Sequence, residues 1–199
     1  MVHPRAEAVI TVNEFVLAFF GVVIGLGVSD LLMSFHRLLR AGTRVKWDWL
    51  PLTYAGLMLY AMIVFWWWQF GYPPSGQELT IASFLPRFVF LVLTFLMVAA
   101  ALPDDIPAEG ISLRAFYFES LRHRWGLLLI ALTLSLAIEE YNLFRRADWV
   151  GVGWTSLPIV SAVLAALAMR IKKPWFQALV MGWIFAVTSY FNLFRTIGP

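Results

Sequence analysis

Residues 15–35, FVLAFFGVVIGLGVSDLLMSF, form a run of twenty-one residues with one formal charge. At about 1.5 Å rise per helical residue, such a run crosses the ~30 Å hydrocarbon core of a bilayer. Two edges of this helix carry different residues: Glu14, Gly21 and Gly25 fall along one side, and Gly27, Asp30, Ser34 and Arg37 along another. That division follows from the helical repeat. Small residues favour close helix approach and a carboxylate avoids lipid, so the helix is expected at the centre of a bundle.

Hydrophobic residues make up 61% of the 199-residue chain and charged residues only 14%, a balance that a soluble domain could not hide in one core. The fifteen Lys and Arg outnumber the twelve Asp and Glu, yet they lie between apolar segments rather than in a patch. No nucleic-acid partner is therefore expected. Cysteine is absent, which excludes disulfides, thiolate metal sites, iron–sulfur clusters and cysteine nucleophiles and leaves the redox compartment open. The opening MVHPRAEAVITV lacks the basic n-region, short apolar core and small-residue cleavage site of a signal peptide, so the first span is expected to remain in the mature protein.

The expected fold is all-α, a polytopic transmembrane bundle forming a single integral membrane domain over residues 1–199. Its six spans lie at about 15–35, 50–70, 84–102, 125–144, 149–169 and 175–194, with an amphipathic segment at 112–124. Trp66, Trp67 and Trp68 mark a membrane surface, where indoles gather. Pro86 is expected in the first turn of span three, where its missing N–H costs little, and Pro158 should kink span five. In the amphipathic segment, Leu113, Phe116 and Leu121 oppose Arg114, Glu119, Arg122 and Arg124. Span four is the informative one: only fourteen apolar residues run from 125 to 138. Crossing a bilayer requires ~20, so the helix must continue through Glu139, Glu140 and Asn142.

Loops one, three and five hold ten Lys and Arg, the opposite side four, and Arg87 lies within a span. Loops rich in Lys and Arg stay in the cytoplasm, so both termini are expected on the non-cytoplasmic side of a bacterial inner (plasma) membrane. Residues 122–145 and 172–195 superpose at a shift of fifty, each opening on basic residues and Trp and ending Asn-Leu-Phe-Arg. Duplication of a helical hairpin would produce this. So would convergence, because basic residues, Trp and an aromatic exit suit any helix leaving the cytoplasm.

With that orientation Glu14, Arg87, Glu139, Glu140, Asn142, Asn192 and Arg195 share one layer with Gln69 near the outer helix ends. They form a candidate polar path or a set of structural pairs, with Arg87 opposite Glu139 or Glu14. Burying a charge at mid-helix costs about 2.5–3.5 kcal/mol on insertion scales, which marks such residues as functional candidates, although snorkelling near the surface lowers the cost. Asp30, towards the other end, is a candidate for proton or cation handling, or a hydrated carboxylate near Arg37. The Gly21-x-x-x-Gly25 pair suits close packing within one subunit's bundle. No catalytic set, metal site or cofactor is expected. The only histidines are His3, His36 and His123, and neither H-E-x-x-H, G-x-S-x-G nor a Gly-rich phosphate loop occurs.

No family's defining residues stand in the chain. Two functions fit these readings. One is a transport-type protein, a channel or carrier for an ion or small solute, assembled as a homo-oligomer. The other is a non-transporting accessory or scaffold subunit docking a larger membrane-protein partner.

Overall fold

The computed structural model describes residues 12–69, 80–146 and 156–192. They form an all-α protein of seven helices: α1 Val12–Ala41, α2 Trp49–Gln69, α3 Ile81–Ala99, α4 Leu113–Glu119, α5 Leu121–Arg146, α6 Ser156–Ala168 and α7 Pro174–Asn192. Among the described residues, four of these (α1, α2, α3 and α5) are long and apolar enough to cross a membrane. Helix α6 has thirteen described residues, about 20 Å, and the 149–155 part of the expected fifth span lies outside the described residues. Pro158 therefore stands at the described start of α6, and the kink expected there falls at the edge of what is described.

Helix α3 packs against α1, α2 and α5, while the contacts α5 to α6, α6 to α7 and α7 to α2 close a ring of five helices. Helix α1 lies outside this ring, against α2 and α3. This corrects the central position expected for it. Its packed side is the one carrying Gly27 and Ser34: a Cβ at Gly27 would come within 2.7 Å of Met62 Cε, and Ser34 is buried. Gly21 and Gly25 face open space, with nothing within 4 Å of an added Cβ, and Phe15, Val22 and Leu26 on the same outer side are exposed. The Gly-x-x-x-Gly pair is thus not a contact among the described residues. Bulky groups explain the choice of face, because Phe20 and Ile24 carry more apolar area inward than two glycines can. Phe20, fully buried, meets Phe65 of α2 and Phe84 of α3 at ring separations of 6.1 and 5.9 Å.

Local sequence sets the helix limits. Gly42 takes a left-handed φ of 53° directly after α1, the usual way a helix is stopped. Asp48 Oδ1 accepts from the Leu50 N–H at 2.9 Å and caps α2. Helix α3 begins three residues earlier than expected, because Thr80 and Ser83 form a reciprocal capping box. Pro86 consequently lies in the second turn rather than the first. The expected amphipathic segment is broken at Ser120, whose hydroxyl donates to the Phe116 carbonyl at 2.7 Å. The backbone ladder nonetheless continues through it, Ser120 N–H to the Phe116 carbonyl at 3.2 Å and Arg124 N–H to the Ser120 carbonyl at 3.1 Å, so Leu113, Tyr117, Leu121, Arg124 and Trp125, all buried, lie on one face, and Arg124 is inward rather than on the polar side expected for it.

One end of the bundle is organised by short loops. Residues 45–46 and 111–112 pair as two parallel two-residue strands, Val45 opposite Ile111 and Lys46 opposite Ser112. Gly110 makes this possible. Its φ is 92°, and a Cβ there would lie 2.4 Å from the Arg44 carbonyl oxygen. Ser112 then caps α4 by accepting from the Ala115 N–H, and Arg114 reaches Asp48 at 4.0 Å. Arg37 donates to the Asp104 carbonyl at 3.0 Å, and Ser34 donates to the Asp104 carboxylate at 3.0 Å. The strand pairing and the Arg114–Asp48 pair hold α4 near the start of α2, and the Asp104 bonds fasten α1 to the segment after α3.

Candidate functional site

Beneath this basic end, residues of α2 and α4 and the backbone just past α3 surround one guanidinium carried by α5. The stripe Leu121, Arg124, Trp125, Leu128 and Ala131 of α5 faces inward, and Arg124 is fully buried with 0% exposure. Its Nε donates to the carbonyl of Ala100, just past α3, at 2.9 Å. Its ring-side contacts are aromatic: the guanidinium carbon lies 4.5 Å from the Phe116 centroid, 4.9 Å from Tyr117 and 5.6 Å from Tyr54. Among the described residues, Nη1 and Nη2 are buried and have no hydrogen-bond partner. No carboxylate lies within ion-pair distance of Arg124 among the described residues. Cation–π contacts supply about 0.5–2 kcal/mol each. Removing a charge from water costs several kcal/mol even after relaxation, so the aromatic faces offset only part of the penalty.

The neighbouring polar groups are, by contrast, fully matched. Gln177 of α7, also at 0% exposure, accepts from the Tyr117 hydroxyl at 3.0 Å and from the Trp125 indole at 2.7 Å. Its amide donates to the Ala168 and Ile171 carbonyls at 2.9 and 2.7 Å. Both acceptor lone pairs and both donors are used, and the two carbonyls it satisfies belong to the last residue of α6 and to Ile171 just past it, where helical partners run out. Tyr54 donates to the Arg124 carbonyl at 3.4 Å and meets Tyr117 and Trp125 edge to face. Burial pushes the Tyr117 hydroxyl up to about 12, so the phenol stays neutral and keeps donating. The site thus consists of a rigid neutral frame around one cation whose outer two nitrogens are unmatched.

The residues singled out from sequence are distributed differently. Arg87 is half-buried and donates to Gln69 Oε1 at 3.3 Å, while Gln69 donates to the Phe65 carbonyl at 3.3 Å. Asn192 accepts from the Trp68 indole and donates to the Thr188 carbonyl. Glu14 is exposed and Asp30 is half-buried, with Arg37 directed to Asp104 instead. The backbone of Glu139, Glu140 and Asn142 continues α5 as the length argument required, but their side chains lie outside the described residues, as does all of Arg195. Further hydrogen bonds join helices where small polar residues meet aromatic donors: Tyr60 with Ser189 at 3.0 Å, and Trp183 to Ser161 at 3.0 Å.

Arg124 and Gln177 are not among the candidates expected from sequence, which sets Arg124 with Arg114, Glu119 and Arg122 opposite Leu113, Phe116 and Leu121. The buried stripe instead runs through Leu113, Tyr117 and Leu121 to Arg124. Read from Leu121 onward, the i, i+3, i+4, i+7 spacing of Leu121, Arg124, Trp125 and Leu128 puts the arginine on the apolar stripe. Gln177 likewise begins the stripe continued by Val180, Met181 and Ile184, all buried. The tryptophans matched by the fifty-residue shift occupy opposite environments, Trp125 buried and Trp175 62% exposed.

The fold and site define a helical membrane protein with an arginine enclosed at one end of its bundle. Among the described residues no group of three or more His, Asp or Glu could hold a metal ion. The chain matches no known protein family, no curated protein and no solved structure, so its chemistry is argued from its own residues.

Proposed function

We propose that the chain is a small polytopic transport-type protein, a channel or carrier for an ion or small solute, with Arg124 as a binding group. Six helices cross a bacterial inner membrane in this reading, with the basic end in the cytoplasm, both termini outside and a homo-oligomer as the assembled form. The observation that carries it is the burial of Arg124 with two unmatched nitrogens. An ionisable group inside a membrane bundle is expensive to keep, and structural pairing does not account for this one. Asp30, Arg87, Glu139, Glu140, Asn142 and Asn192 remain candidates for the rest of the path, with Glu14 and Arg195 at its outer mouth. Reconstitution into liposomes tests the proposal. Solute or ion flux by the wild-type protein, lost in Arg124→Met while the variant remains folded, supports it; flux unchanged in Arg124→Met overturns it.

A second reading is favoured by a different observation, the open face of α1 at Gly21 and Gly25 beside exposed Phe15, Val22 and Leu26. Small residues on an exposed face admit another helix closely, as an accessory or scaffold subunit docking a larger membrane partner requires. Purification at fixed stoichiometry with another membrane protein would support that function, and a stable homo-oligomer with measurable flux would exclude it.

A further inference from the structure

We propose that the outer edge of Arg124 is a binding site for an oxyanion of the phosphate or carboxylate type, uncovered by displacement of α4. This deepens the ligand-binding role given to Arg124 above and is independent of whether the ligand is transported. A guanidinium has a paired edge, Nη1 and Nη2, that matches two oxygens of one anion in parallel. In Arg124 that edge is the unmatched part, since Nε is committed to the Ala100 carbonyl. The aromatic faces of Phe116, Tyr117 and Tyr54 stabilise a cation without competing for its N–H groups. Gln177, the other strong hydrogen-bonding group nearby, is saturated by Tyr117, Trp125 and two carbonyls and does not turn to Arg124. The site is therefore selective for negative charge.

Access points to α4. This seven-residue helix contributes Phe116 and Tyr117, lies outside the four long apolar helices, and is bounded by Ser112 and the break at Ser120. Shifting it removes two faces of the cage at the cost of the Tyr117–Gln177 hydrogen bond and the Arg114–Asp48 pair, while the contacts among the long helices themselves do not involve it. The same chemistry is available from a free anion or from a phospholipid headgroup, because the cage lies at the loop end of the bundle.

The test uses the full chain, purified in maltoside micelles supplemented with a phosphate-free glycolipid, and follows the thermal unfolding midpoint. Sodium phosphate is compared with sodium chloride at equal ionic strength, and phosphatidylglycerol with more glycolipid. A saturable rise with phosphate that is lost in Arg124→Met supports a free oxyanion; a rise confined to phosphatidylglycerol and lost in the same variant supports a lipid phosphate. Arg124→Lys, which keeps the charge without the paired edge, should show a reduced response and serves if Arg124→Met does not fold. No rise with either ligand, an equal rise with chloride, or a full response retained in Arg124→Met or Arg124→Lys would overturn the proposal. Because nothing is transported in micelles, a positive result with no liposome flux would sink the transport reading alone.

Discussion

Replacing Gln177 with leucine should be among the most damaging single changes in this protein. The two side chains are similar in size, so the cost arises from hydrogen bonding rather than from a cavity. Three buried partners lose their match, the Tyr117 hydroxyl, the Trp125 indole and the Ala168 carbonyl, and so does the partly buried Ile171 carbonyl. Each buried polar group left unsatisfied costs about 1–3 kcal/mol, so the three buried ones amount to roughly 3 kcal/mol at the low end of that range. Reversible unfolding by sodium dodecyl sulfate in mixed micelles, followed by helical circular dichroism, would measure the loss. A double-mutant cycle adds a sharper criterion. Tyr117→Phe should cost about 1 kcal/mol in the wild-type background, where a hydrogen bond is lost, and close to nothing once Gln177 is leucine, because the phenol is already unmatched. A destabilisation by Gln177→Leu below about 1 kcal/mol, or additive effects of the two changes, would refute the view that this amide unites α4, α5 and the end of α6.

Gly110→Ala should destabilise by about 2 kcal/mol or more, the cost of a non-glycine residue in a strained backbone region, since its Cβ would strike the Arg44 carbonyl; an unchanged unfolding midpoint would contradict this. Gly25→Ala should leave the monomer's stability unchanged or slightly raised, because nothing lies near the new methyl group, so any loss of a purified oligomer or complex in this variant reports a contact between chains through α1. Gly27→Ala should cost something in the monomer, because Met62 must move, though less than Gly110→Ala, since the end of a methionine adapts more readily than a backbone carbonyl. Stability should also fall between pH 10 and about 12. Tyr117 is held neutral in the fold with its value raised from 10 to about 12, so its contribution is complete below pH 10 and lost as pH rises through 12, in total about 2–3 kcal/mol. The pH profile of unfolding in Tyr117→Phe should lack this component; identical profiles would reject it.

Helix existence and length were determined locally, and the sequence carried them. The apolar runs of α1, α2, α3 and α5 and the need for α5 to extend past Glu139 can be read from neighbouring residues, because hydrogen-bond satisfaction in an apolar medium leaves a helix no alternative; the Thr80 cap, which starts α3 at Ile81 rather than Phe84, is a finding of the structure. Which side of a helix faces inward is another matter. In lipid, apolar residues are acceptable on every side, so the hydrophobic pattern that orients a helix in water loses its force. That is why α1 could be expected at the centre and is found outside, with Phe20 and Ile24 inward and Gly21 and Gly25 open.

The site depended on the same tertiary choice. Arg124 lies among basic residues, and counting charge put it with Arg122 and His123 at the surface, where those two are indeed exposed. The strand pairing that sets α4 across the end of the bundle, the rings of Phe116 and Tyr117 on α4, and the approach of Tyr54 from α2 enclose it. By itself the sequence determined that this chain is helical and where most helices run, and its spacing sets Arg124 on an apolar stripe. Tertiary structure decided what encloses that charge, because its partners come from up to about seventy positions away, as between Tyr54 and Arg124, and no local pattern contains that distance.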